Sequence, residues 1–366
     1  MKNKILSVAF SVLLAVLLIC ILLVPDQETS LTERRALRQF PTVSWKGIYS
    51  GEWMEHLESW LPDQFPGRET FRSAALLFRT NVLMQSDYNG AYVANGKIVK
   101  TEYPLDEQSV IRLGQKIDAL TNAYFTKNHV YCALIPDKAA YLAEASGHLS
   151  LDFTRMEQLL AENCHSAQYI SLSKQLTAED YYDTDIHWRQ ERILPVADHL
   201  AEHMGAMLSH PADTTPYTYT PFYGSYYAQS SGVRPDTLVY LTDVYTNAAI
   251  VDNLQKPEVT TVYEPDALGK MDSYDVFLSG ATPLLTLTNA ASEAPAGRRT
   301  LILFRDSFGS SLAPLLLSGY ERIILVDLRY MSSALLPDHL DLTNPNTTDI
   351  LFLYGTQLAN NSALLR

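Results

Sequence analysis

Leu301-Ile302-Leu303-Phe304-Arg305-Asp306-Ser307-Phe308-Gly309-Ser310-Ser311-Leu312-Ala313-Pro314-Leu315-Leu316-Leu317 is the stretch that decides the fold. Its first four residues read as a buried strand. Arg305-Asp306-Ser307 breaks the run, and Phe308, Ser311, Leu312, Leu315 and Leu316 then recur at helical spacing. After Gly319, Ile323-Ile324-Leu325-Val326 reads as a second buried strand. The pattern predicts a β-α-β unit with parallel strands and a right-handed crossover. Ser307 then lies at the carboxyl end of a strand and the amino end of a helix, the edge at which open α/β sheets bind ligands. First-turn N–H groups and the helix dipole favour negative charge there, including the oxyanion of acyl transfer. A serine so placed is either the helix cap or a nucleophile.

The chain has 366 residues and a formal net charge of −13. That length holds one large α/β domain or one domain plus appendages. The charge argues against nucleic acid, whose phosphates require a basic face, and against adhesion to anionic lipid through surface charge. Ile5 to Val24 carries no charged residue. Twenty residues at ~1.5 Å each match the ~30 Å hydrocarbon core of a bilayer. Lys2 and Lys4 precede the span and Asp26 and Glu28 follow it, so the positive-inside rule places everything after Pro25 outside. A cleaved signal peptide is the competing reading. No small-x-small site stands near Val24, and Cys20 follows Leu17-Leu18-Ile19 rather than a small residue, so an uncleaved signal anchor over 1–25 is expected. Cys132 and Cys164 are read as two buried thiols, with a disulfide between them as the alternative, and three cysteines make no disulfide framework. No Cys/His spacing suits zinc, and neither a metal nor an organic cofactor is implied.

Residues 26–90 read as a juxtamembrane stalk followed by helices. Trp53, Leu57 and Trp60 mark a helix over Trp45 to Leu61, stopped by Asp63-Gln64-Phe65-Pro66-Gly67-Arg68, and Glu69 to about Met84 forms another. Ala91-Tyr92-Val93, Asn95-Gly96 and Ile98-Val99 spell a hairpin with a type I′ turn. Asp106 caps a helix to about Phe125. His129 to Ile135 is the first buried strand of the main domain, about Phe153 to Cys164 is helical, and Tyr169 to Leu172 is a short strand. A helix after Trp188 runs to about Met207. Lys138 reads as a solvated lysine at a strand end. From about 208 to 299 Tyr, Thr, Pro and Ser dominate, the mark of a β-rich insertion or edge lobe; Asp349 to Tyr354 is the last buried strand.

The second informative stretch is Tyr181-Tyr182-Asp183-Thr184-Asp185-Ile186-His187-Trp188. In an extended segment residues i and i+2 project to the same side, so the Asp185 carboxylate can approach the His187 ring. A carboxylate accepting from one ring nitrogen fixes the tautomer and raises the basicity of the other. The same residues also suit a helix-capping Asp and a packed His. With Ser307, all three members of a Ser-His-Asp set fall at element boundaries.

Tyr182-Asp183-Thr184-Asp185-Ile186-His187-Trp188 resembles the signature of the DHHW-type exported proteins, as do Arg305-Asp306-Ser307-Phe308 and Asp327-Leu328-Arg329-Tyr330. Asp63 to Arg68, Phe222-Tyr223-Gly224-Ser225 and Phe277-Leu278-Ser279-Gly280 fall where that family has similar segments. The family in turn resembles the SGNH-like domains of alginate O-acetyltransferases. The resemblance implies an SGNH-like three-layer α/β/α sandwich over 91–366, with Ser307 as nucleophile, His187 as base and Asp185 as its orienting acid. Two positions depart from the pattern. Ile186 stands where the signature has its first His, and Ala281 stands where the family has an Asn after Gly. The backbone N–H of Ser307 or Gly280 would then face the oxyanion. Arg329 and Tyr330 are candidates for substrate or oxyanion contact, with an ion pair from Arg329 to Asp327 or Asp306 as the alternative. Asp306 is expected to bond loop backbone.

The expected function is acyl-ester chemistry on an envelope or exported polysaccharide, by transfer or hydrolysis, outside the cytoplasmic membrane. Analogy with alginate acetylation implies a membrane-bound O-acyltransferase as acetyl source. The alternative is a catalytically silent glycan-binding or assembly module whose aromatic Tyr217–Tyr227 segment stacks on sugars.

Overall fold

The computed structural model describes every residue except 1, 231, 292–298 and 342–346, so the end of the expected insertion lies outside the described residues. A seven-stranded sheet runs through the domain in the spatial order Gln168–Tyr169, His129–Ile135, Thr348–Gly355, Thr300–Arg305, Arg322–Val326, Leu284–Thr288, Ile250–Asn253. The first five are mutually parallel, and Leu284–Thr288 pairs antiparallel with both of its neighbours. The strands flanking Ser307 pair as the sequence pattern requires, with Leu301 beside Ile323 and Leu303 beside Leu325.

Period-2 alternation assigns the side chains to two buried faces. Tyr131, Ala133, Leu301, Leu303, Ile323, Leu325, Leu351 and Leu353 pack on one side with helices Leu194–His203 and Phe308–Leu316. Val130, Cys132, Ile302, Phe304, Ile324, Ile350 and Phe352 pack on the other with Glu107–Tyr124 and Phe153–Asn163. The result is a three-layer α/β/α sandwich. Near its centre the Phe304 and Phe352 rings stack 4.4 Å apart on the second face. Cys132 and Cys164 are free and buried there.

Two-stranded appendages lie outside the sheet. Ala91–Ala94 and Lys97–Lys100 form the expected hairpin, with Asn95 and Gly96 both at positive φ. Thr215–Phe222 pairs with Asp236–Thr242. The later part of the Tyr- and Thr-rich region behaves differently: its strands Ile250–Asn253 and Leu284–Thr288 are hydrogen-bonded into the sheet edge. The helix expected over Trp45 to Leu61 is two helices, Trp45–Ser50 and Glu52–Asp63, because Gly51 adopts φ +85 between them. Helix Arg68–Asn81 follows, and Lys2–Leu23 is a single helix long and apolar enough to cross a membrane.

Candidate active site

Ser307 leaves the middle of the sheet at the carboxyl end of Thr300–Arg305, where helix Phe308–Leu316 begins. Asp306 holds the junction: its Oδ1 accepts from the Phe308 N–H at 3.1 Å and its Oδ2 from the Gly355 N–H at 2.7 Å. The turn is thereby stapled to the end of the neighbouring strand. The Ser307 side chain makes no capping bond to the helix. Its Oγ lies 2.7 Å from Nε2 of His187. Among the described residues the Ser307 amide N–H has no acceptor, so it remains open at the helix start.

His187 is held by its neighbours on both ring nitrogens and on its face. Its Nδ1 lies 2.5 Å from Asp185 Oδ1, which also accepts from the His187 backbone N–H at 3.0 Å. With Nδ1–H donating to the carboxylate, Nε2 is the acceptor for the Ser307 hydroxyl. The ring stacks on Tyr274 at 3.8 Å and meets Phe308 edge-on at 5.0 Å. The Tyr274 hydroxyl and the Trp188 indole N–H both donate to Ser311 Oγ, at 2.8 and 2.9 Å, one helical turn beyond Ser307. The packing of Trp188 therefore fixes the approach of its neighbour His187 to the helix start.

Asp185 is fully buried, yet its second oxygen is also satisfied: Oδ2 accepts from the Ser225 N–H at 2.7 Å and from Arg34 at 2.9 Å. Burial alone pushes its carboxyl up. Attraction to His187, the hydrogen bond between them and the Arg34 charge overcome that effect and hold it well below the usual carboxylate range. The group is thus an anion in the interior, which is tolerable only when every lone pair is matched.

The loop carrying these residues is pinned from beneath. Lys138, expected to be solvated, is instead fully buried, and its ammonium donates to the carbonyls of Tyr182 and Asp185 at 3.0 and 2.8 Å. Asp236 accepts from the N–H groups of Asp183 and Thr184, both at 2.8 Å, and from the Thr184 hydroxyl. Lys97 adds an ion pair to Asp183 at 2.6 Å. Gly224 runs so close to this loop that a Cβ there would sit 2.3 Å from the Thr184 carbonyl oxygen. Phe222-Tyr223-Gly224-Ser225 is thus the partner of the Asp185 segment, with glycine at the point of backbone contact and the Ser225 N–H on the carboxylate.

The remaining candidates separate from this cluster. The Gly280 N–H is committed to the Phe277 carbonyl at 3.1 Å, within a left-handed run in which Leu278, Ser279 and Gly280 all have positive φ. It is not available to an oxyanion in this conformation. Arg329 binds Asp327 with two nitrogens, at 2.9 and 2.6 Å, the ion-pair alternative foreseen for it. Tyr330 is exposed beside the Arg329 guanidinium. Ile186, in the place of the signature histidine, packs as a half-buried side chain against the core. Among the described residues no group of His, Cys, Asp and Glu side chains could hold a metal. Sequence reasoning missed Arg34, Lys138, Asp236 and Tyr274, each of which reaches the site from a distant part of the chain.

No family model matches the chain, and no curated protein is similar to it in sequence. Solved structures are similar in fold. A DHHW family protein of Eubacterium siraeum aligns with a TM-score of 0.60 at 17% identity, over 75% of this chain and 94% of that one. PatB1 of Bacillus cereus, solved with a sulfonyl adduct, aligns at 0.55 and 15% identity, over 74% and 97%. The O-acetyltransferase domain of Pseudomonas putida AlgJ aligns at 0.43 and 10% identity, over 74% and 92%. The chain therefore shares the fold of a DHHW family protein and of PatB1.

Proposed function

We propose that this chain is a membrane-anchored serine acyl-esterase or O-acetyltransferase acting on a cell-envelope or exported polysaccharide. The observation that carries the reading is the continuous chain from Asp185 through His187 to Ser307, with the two joining distances at 2.5 and 2.7 Å. Nucleophile, base and orienting acid stand within hydrogen-bond reach, at the sheet edge where ligands bind. The sulfonyl adduct of Bacillus cereus PatB1 adds support, since sulfonyl groups cap activated nucleophiles and the two chains share a fold.

In this reading His187 Nε2 takes the Ser307 proton as Oγ attacks the carbonyl carbon of an acetyl ester. The developing oxyanion faces the helix start and the open Ser307 N–H. Collapse breaks the ester C–O bond, and the leaving alcohol receives the proton from His187. A sugar hydroxyl or water then gives its proton to His187 and attacks the acyl-enzyme; the acyl–Oγ bond breaks and His187 returns the proton to Ser307 Oγ. Transfer and hydrolysis differ only in which acceptor arrives. Residues 1–25 anchor the chain, 26–90 connect it, and 91–366 carry the chemistry outside the membrane. A membrane-bound O-acyltransferase is the acetyl source that this arrangement suits.

A fluorophosphonate probe tests the reading directly. Wild-type protein should be modified on the peptide containing Ser307, and His187→Ala should slow the modification by orders of magnitude. A folded wild type that stays unmodified overturns the enzyme and favours the glycan-binding module.

A further inference from the structure

We propose that Arg34, in the segment joining the apolar N-terminal helix to the folded domain, is a positioning residue of the site, which makes that segment an integral part of the site. The inference rests on the reading of Ser307, His187 and Asp185 as a working set. Arg34 lies 151 positions from Asp185, yet its guanidinium donates to Asp185 Oδ2 at 2.9 Å. Its other terminal nitrogen pairs with Asp272. Asp272 caps the turn Ser273–Val276 through the Tyr274 N–H at 3.0 Å, and Tyr274 is the ring on which His187 stacks. One guanidinium thus ties together the carboxylate in line with His187 and the turn that supports the face of its ring.

Oδ1 of Asp185 is already occupied twice by His187. The two donors on Oδ2, the Ser225 N–H and Arg34, fix the rotation of the carboxylate about its own bond, so Oδ1 stays aimed at Nδ1. Arg34 stands at φ +54, in the turn between the paired strands Thr29–Ser30 and Arg35–Ala36. That conformation is uncommon for a residue with a side chain. The turn is built onto the following helices: Thr32 donates to Glu69 at 2.7 Å, Arg35 pairs with Asp63, and the Gln64 side chain binds the backbone of Gln27 and Arg38. Arg34 follows Leu23, the last residue of the apolar helix, by eleven positions. At ~3.3–3.6 Å per extended residue Arg34 lies within about 40 Å of the end of that helix. Drawing residues 26–38 off the domain would remove a donor from Asp185 and Asp272 together.

The test uses the full-length chain in detergent, with Arg34→Ala, Arg34→Lys and Ser307→Ala. Turnover of an acetyl ester should fall in kcat by about 10–100-fold in Arg34→Ala with KM nearly unchanged, and less in Arg34→Lys. Millimolar guanidinium should restore part of kcat in Arg34→Ala and none in Ser307→Ala. In parallel, the downfield proton resonance of the Asp185–His187 bond should be present in the wild type, weaken in Arg34→Ala and return with guanidinium. Wild-type kcat in Arg34→Ala, or a loss that follows melting and is not rescued, overturns the proposal. An inactive wild type would instead sink the acyl-transfer reading, and the proton resonance would still decide the role of Arg34: an unchanged signal in Arg34→Ala contradicts it.

Discussion

At the residue scale, the site is a line of three side chains whose states are set by their neighbours. Asp185 is buried and ionised because His187, Arg34 and backbone N–H groups match its oxygens. Asp185→Asn keeps the shape but offers an amide in place of a charge, so it loses the stabilisation of the imidazolium. Its turnover should fall by less than that of His187→Ala, which removes the proposed base and should cost several orders of magnitude. His187→Ala and Ser307→Ala combined should be little worse than either alone, because members of such a set act as a unit; rates that multiply would contradict the shared mechanism. The pairing of Asp185 with His187 is legible in sequence because i and i+2 spacing is local. Arg34 and Lys138 are not legible, since a lone basic residue in a polar stretch gives no sign of the distant carbonyl or carboxylate it will meet. Gly280 shows the reverse failure: its position suggested a free N–H, but the three-residue left-handed run turns that N–H onto Phe277.

At the scale of elements, the loop from Tyr181 to Trp188 is the part that must hold still. Lys138 pins it, and burial is the main reason its ammonium titrates at about 8 rather than the ordinary 10.5. Between those values the unfolded chain keeps a proton that the folded chain has released, so this group makes the fold gain stability as pH rises through the window. The stability of the wild type relative to Lys138→Met should therefore increase by roughly 3 kcal/mol from about pH 7 to 10.5, at ~1.4 kcal/mol per unit. Denaturant melts across that range check the sign, and a flat difference contradicts it. Gly224→Ala places a carbon 2.3 Å from the Thr184 carbonyl, one residue from Asp185. It should cost about 1–3 kcal/mol of stability and lower turnover by on the order of 100-fold through displacement of the carboxylate. The strand and helix around Ser307 were readable because burial on both faces leaves an unbroken apolar run. The strands Ile250–Asn253 and Leu284–Thr288 were not readable as part of the same sheet. They sit at its edge in a Thr- and Tyr-rich region, where composition points to a β-rich insertion or edge lobe without showing which strands it pairs with.

At the scale of the whole molecule, a three-layer domain follows one apolar helix through a connection that reaches the candidate site. Lys2 and Lys4 lie in the first turn of that helix and Asp26 and Glu28 follow it, so the positive-inside rule predicts that the bulk of the chain lies outside. A reporter fused after Arg366 that is active only in an exported compartment should be active, and an inactive fusion beside an active cytoplasmic reporter contradicts the topology. The central claim, that Ser307 is a nucleophile and not a structural residue, is tested most directly by turnover of a chromogenic acetyl ester. Full-length wild type and Ser307→Ala are compared with a melting curve for each. The variant should melt within a few degrees of the wild type, since it loses one hydroxyl that caps nothing, and its turnover should fall by several orders of magnitude. Wild-type turnover in a folded Ser307→Ala protein would contradict the account.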